Sequence, residues 1–67
     1  MVSGPALIKY LIRRGFVYRR QKGSHVILKS ETKMAVVPLD EELAKGTLLA
    51  ILEQSGITKE EFMREWH

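Results

Sequence analysis

The sequence predicts an α+β fold in the order α-β-β-β-α, with a three-stranded antiparallel sheet, two helices on one face of it, and a short C-terminal helix. Three observations carry this expectation. Two apolar stripes recur at helical spacing, Leu7-Ile8-Leu11-Ile12 and Leu48-Leu49-Ile51-Leu52. Between them lie three short runs of β-forming residues. The segments joining those runs are of hairpin length and rich in turn residues, so the strands are expected to be antiparallel.

Taken in order, Ser3 is placed to cap the first helix, with Pro5 in its opening turn, where a missing N–H is tolerated. Lys9, Arg13 and Arg14 fall on the side away from the apolar stripe, and Gly15 supplies a left-handed cap. Phe16 to Gln21 reads as the first strand, Lys22-Gly23-Ser24 as a tight turn with Gly23 at positive φ, and His25 to Lys29 as the second strand. Ser30 to Lys33 is a polar loop, and Met34 to Val37 a third strand that Pro38 stops. Asp40 to Lys45 leads irregularly into the second helix, which Gly56 ends. Thr58-Lys59-Glu60-Glu61 is a capping box opening the last helix, which runs to Trp66. Successive strand residues alternate faces, so Val26 and Leu28 are expected in the core and His25, Ile27 and Lys29 on the other face. Met34 is expected in the core, and Phe16, Tyr18 and Trp66 as core or staple residues.

Sixty-seven residues imply one domain, 1–67, with a core over 3–57 and a helical extension over 58–67. A chain of this size buries only about 60% of its unfolded surface. It has no cysteine, which excludes a disulfide framework and thiolate metal sites. The apolar runs are too short to span a membrane and the first residues do not resemble a signal peptide, so a cytoplasmic protein without membrane contact is expected. Net charge is only +3, but it is polarised. Residues 1–33 carry eight Lys and Arg against one acid, whereas residues 34–67 carry three against seven. That asymmetry points to a surface that attracts a polyanion.

His25 is the best candidate for chemistry. It follows a glycine turn and lies within six residues of Arg19, Arg20 and Lys22. RNA scission needs a base for the ribose 2′-hydroxyl, stabilisation of charge on the phosphorus oxygens, and a proton for the leaving 5′-oxygen. An imidazole suits proton exchange near neutral pH. The N–H groups of Gly23 and Ser24 and the Lys22 ammonium suit phosphate oxygens. The scheme calls for no metal or other cofactor, and the chain has no His and acid pair at ligand spacing. Each of these residues also has a plainer role. His25 fits an ordinary surface histidine, and Arg19, Arg20 and Lys22 fit an edge strand kept soluble by charge. Ser24 is weaker as a nucleophile because strand neighbours point to opposite faces. Nothing in the sequence places Asp40 beside His25, and His67 is expected to be disordered.

The run Arg20-Gln21-Lys22-Gly23-Ser24-His25 closely resembles the strand–turn–strand motif of HicA toxins, the YcfA-like group of messenger-RNA interferases. Leu7-Ile8-Lys9-Tyr10-Leu11 with Gly15-Phe16, then Val36-Val37-Pro38, then Lys45-Gly46-Thr47-Leu48, Ile51-Leu52 and Ser55-Gly56-Ile57 resemble that family's remaining elements, in order. The resemblance implies a double-stranded-RNA-binding-domain-like fold and cleavage of messenger RNA. It also implies neutralisation by a HicB-type antitoxin, with a chain monomeric when free and oligomeric with its antitoxin. The family's catalytic histidine falls on His25 and its required glycine on Gly23. Many members carry further histidines where this chain has Val26 and Leu39. Their replacement leaves water or Lys22 to protonate the leaving oxygen.

Three functions therefore compete. An endoribonuclease toxin needs His25 for cleavage. A non-catalytic RNA-binding module would bind RNA in a salt-sensitive way without it. A protein-docking module would use the basic face for an acidic partner alone.

Overall fold

A computed structural model describes residues 1–66, and the expectation for His67 lies outside them. Helix α1 spans Gly4–Arg13, β1 Val17–Lys22, β2 His25–Lys29, β3 Met34–Pro38, α2 Lys45–Ser55 and α3 Lys59–Glu65. The three strands form one antiparallel sheet in the order β1-β2-β3. The fold is the α+β arrangement that the hydrophobic pattern implies, with a third helix after the second.

Each boundary has a local cause. Ser3 Oγ accepts the Ala6 N–H at 3.1 Å, and Pro5 occupies the first turn of α1. At the other end Gly15 adopts φ +99°, and the Phe16 N–H bonds back to the Leu11 carbonyl at 3.0 Å. Gly56, at φ +71°, closes α2, and Thr58 Oγ1 accepts the Glu61 N–H at 3.1 Å to open α3. Between α1 and β1 the chain turns Phe16 into the core, so the first strand begins one residue later than its composition implies.

Both main helices cover one face of the sheet. Val26, Leu28, Ala35 and Val37 point into the core, where they meet Leu7, Ile8 and Leu11 of α1 and Ile51 and Leu52 of α2. The cover is lopsided. Both helices pack against β3, whereas every residue of β1 is exposed. Strand β1 thus projects as a ledge beyond the core. This explains why Tyr18 is 47% exposed rather than a core or staple residue. Met34 is also exposed, because it pairs with Lys29 and so shares the face turned away from the helices.

The stripe of α1 is rotated from its expected position. Ile12 is exposed, and Tyr10 is almost fully buried in its place. The cause is α3, which lies against that flank of α1. The Tyr10 ring meets Phe62 edge-on with centroids 5.2 Å apart, and Trp66 packs against both rings. Arg14 bonds Glu61 at 2.8 Å and Glu65 at 2.6 Å, and the Tyr10 hydroxyl donates to Glu65 at 2.8 Å. Burial, together with the hydrogen bond to Glu65, pushes the Tyr10 hydroxyl pKa up. Arg14, expected only on the side of α1 away from the apolar stripe, is the clamp for the last helix. Among the described residues no helix is long and apolar enough to cross a membrane.

The clamp gives α3 a defined pH response. The Arg14 guanidinium holds the Glu61 carboxyl below its usual range, and the Tyr10 hydroxyl with Arg14 does the same for Glu65. Groups with depressed folded values contribute stability above the ordinary carboxylate range, and that contribution is lost as pH falls through the lowered values. The single tryptophan, Trp66, reports the docking of α3. Its fluorescence is expected to stay constant from neutral pH to about 4.5 and to change below it. In the Glu61→Gln, Glu65→Gln double variant that acid transition should disappear.

Candidate active site on the open sheet face

Strand register fixes what the open face presents. Cross-strand partners point to the same side, so rows can be read across the sheet. The row at the turn end holds Lys22, His25 and Pro38, and the middle row holds Arg20, Ile27 and Val36. The row at the far end holds Val17, Lys29 and Met34. The intervening rows, Gln21-Val26-Val37 and Tyr18-Leu28-Ala35, belong to the helix side.

The register slips between Tyr18 and Arg20, leaving Arg19 as an extra residue in β1. A bulge of this kind brings two successive side chains to one side of a strand. Arg19 accordingly lines a hollow with Val17 and Lys29 on the open face, and Arg20 stands opposite Ile27 on the same face. The face therefore gathers Arg19, Arg20, Lys22, Lys29 and His25 around an aliphatic strip of Val17, Ile27, Met34 and Val36. No carboxylate stands in any of its three rows.

His25 is exposed at the first position of β2, directly opposite Lys22. Among the described residues no side chain hydrogen-bonds its ring. The two-residue turn beside it, Gly23–Ser24, is held from both flanks. Gln21 Nε2 donates to the Gly23 carbonyl at 2.9 Å, and the Leu39 N–H donates to the Ser24 carbonyl at 2.8 Å. Gly23 has φ +60°, which a side chain would strain, and a Cβ there would meet nothing within 4 Å. The space above the turn is thus open to a ligand.

The segment that fixes Ser24 is itself fixed by α1. The Gly4 N–H donates to the Asp40 carbonyl at 2.8 Å, and the Leu43 N–H to the Val2 carbonyl at 2.7 Å. Gly4 is buried, and a Cβ on it would lie 1.9 Å from the Pro38 carbonyl oxygen. Pro38 is the cross-strand partner of His25. The start of α1 therefore sets the strand end on which the His25 row rests.

The structure sorts the sequence candidates by position. Lys22, Gly23 and Ser24 adjoin His25, and Arg20 is one row away. Arg19 turns toward the opposite end of the face. The Asp40 carboxylate is exposed and makes no hydrogen bond to His25 among the described residues. Val26, where a second histidine occurs in the resembling family, is buried on the helix side. That position cannot share a face with His25 in this strand. Sequence reasoning missed Gly4, whose neighbour lies 34 residues later in the chain, and gave Lys29 a face but no role. Among the described residues no group of three His, Cys, Asp or Glu is placed to hold a metal ion.

A family model described as the HicA toxin of bacterial toxin–antitoxin systems matches residues 4–57. The matched stretch ends just before the cap of α3, so the clamped helix lies beyond it. No curated protein matches the sequence.

The contact at Gly4 yields a direct test of how the site is held. Gly4→Ala forces the α1 terminus off Pro38, an overpacking that destabilises by about 1–3 kcal/mol. Urea unfolding should show that loss, and amide NMR shifts should move at Ser24, His25 and Leu39 as well as along α1. Unchanged shifts in the turn would separate the two regions.

Proposed function

The chain belongs to the HicA toxin family, and on that premise we propose that it is an endoribonuclease toxin that cleaves messenger RNA with His25 as its catalytic residue. The observation supporting this most strongly is the position of His25. It stands clear of the core, opposite Lys22 and beside an open glycine turn, on a sheet face that carries three further cations.

In this reading one phosphodiester lies over the Gly23–Ser24 turn. The His25 imidazole takes the proton of the ribose 2′-hydroxyl, and that oxygen attacks the adjacent phosphorus. Lys22 and the N–H groups of Gly23 and Ser24 stabilise the charge that builds on the non-bridging oxygens. The bond to the 5′-oxygen breaks, and that oxygen takes a proton from Lys22 or from water. The products are a 2′,3′-cyclic phosphate and a free 5′-hydroxyl. Arg20, one row away, binds a neighbouring phosphate, and Arg19 another further along the face. The scheme draws on no metal ion or cofactor. With no second histidine beside His25, the leaving group relies on a weaker acid, so turnover is slow.

The chain would act in the cytoplasm, where messenger RNA is found, and would be monomeric when free. Its inhibitor would be a HicB-type antitoxin, assembling with it into oligomers. Aliphatic residues flanked by cations on the His25 face suit an acidic partner that buries Ile27, Val36 and Met34 while excluding RNA.

His25→Ala should abolish RNA cleavage while leaving stability within about 0.5 kcal/mol, because an exposed, unbonded side chain carries little folding energy. Gel assay of a labelled transcript and urea unfolding of the same preparation check both halves. Residual cleavage by the variant at the native rate would overturn the assignment. Intact RNA binding without cleavage by the native chain would favour a non-catalytic module.

A further inference from the structure

At the end of the open face farthest from His25, the sheet surface dips into a hollow of about 380 Å³ lined by Gly15, Val17, Arg19, Lys29, Ser30 and Glu31. It forms because the α1–β1 connection and the β2–β3 loop both leave the sheet there, on either side of the Val17–Lys29 pair. The reaction outlined above uses none of its residues except Arg19. Resting on the RNA reading, we propose that this hollow is a second nucleotide subsite, which holds one unit of the RNA strand a few residues from the bond that is cut.

Three features of the hollow fit a nucleotide better than a simple anion. Arg19 and Lys29 supply two cations and, among the described residues, neither is ion-paired with a carboxylate. Arg19 shares the face of Val17 by strand alternation and lines the hollow with Lys29, while the bulge adds Arg20 to the same face nearer the His25 row. Second, Glu31 adds an acceptor at the same wall. A carboxylate repels phosphate but accepts from the exocyclic amine of a base, as Glu does with cytosine. Third, Val17 is 57% exposed and gives the hollow an aliphatic wall for the flat face of a base. Phosphate at the cations, base edge at Glu31 and base face on Val17 together use the charged and aliphatic side chains of the lining.

The spacing suits a continuous strand. His25 and Lys29 are four residues apart on β2, about 13 Å at the usual strand rise. At the stacked rise of about 3.4 Å per nucleotide that distance spans no more than about four nucleotides. Arg20 lies on the way, so the strand would meet a cation in each of the three rows of the open face.

The test uses the full chain carrying His25→Ala, which keeps RNA intact and makes the readout independent of catalysis. Binding of labelled cytidine and uridine octanucleotides is measured by fluorescence anisotropy over a salt series. Adding Arg19→Gln and Lys29→Gln should weaken binding of both about tenfold and lower the logarithmic salt slope by about 1.4, the value for two lost contacts to single-stranded phosphates. Lys59→Gln with Arg64→Gln removes the same charge from α3 and should change affinity less than twofold. Glu31→Gln should reduce the preference for the cytidine over the uridine oligomer about threefold, since uracil has no exocyclic amine. Equal losses in the hollow and α3 variants would overturn the subsite, and an unchanged base preference would overturn its assignment to a nucleotide. Failure of the parent chain to bind either oligomer would overturn the RNA reading and the subsite together.

Discussion

Everything at the candidate site follows from the sheet having two faces and enough helix to cover only one of them. Val26 and Leu28 must be buried, because they are the part of β2 on which α1 and α2 close the core. Strand geometry then leaves His25, Ile27 and Lys29 no choice but the opposite side. The imidazole is exposed as a consequence of packing two residues it does not touch. Any substitution that reversed the register of β2 would bury His25 and expose the core in one step.

The same constraint shapes the charge distribution. Lopsided cover leaves β1 as a ledge, and a ledge strand needs protection from pairing with other chains. Its bulge and its three cations supply that protection. They also bring Arg19, Arg20 and Lys22 to the face that carries His25, so the features that guard the edge are the ones that gather positive charge beside the imidazole. The helix side is organised differently. There Arg14 is withdrawn from the basic surface and spent on Glu61 and Glu65, which fasten α3 to α1. Cations in the first half of the chain thus divide between one that builds the fold and several that face outward.

Much of this was legible in the sequence, and the parts that were not share a cause. Helix caps at Ser3, Gly15, Gly56 and Thr58, the glycine turn and the inward pair Val26 and Leu28 are decided by neighbours a few residues away. So is the exposure of His25. Tyr10, absent from the expected stripe, Met34, expected in the core, and Arg14, expected on the side of α1 away from the stripe, are all decided by partners distant in the chain. Tyr10 is buried by Phe62 and Trp66, Met34 is turned outward by its register with Lys29, and Arg14 is claimed by two glutamates on a later helix. Gly4 carried no signal at all, since its need for a bare Cα comes from the Pro38 carbonyl. The bulge at Arg19 was equally silent, because a slip in pairing leaves no mark on the composition of a strand.

In the proposed reaction an outward-facing imidazole turns the ribose 2′-hydroxyl against its own phosphodiester. The chemistry of the cut ends tests it most directly, read by mass spectrometry after the native chain has acted on a short RNA in the presence of a chelator. That reaction leaves 2′,3′-cyclic phosphate on one product and free 5′-hydroxyl on the other, and makes no cut where the attacking nucleotide is 2′-deoxy. Products ending in a 3′-hydroxyl, or cleavage of the 2′-deoxy strand at the same position, would contradict it.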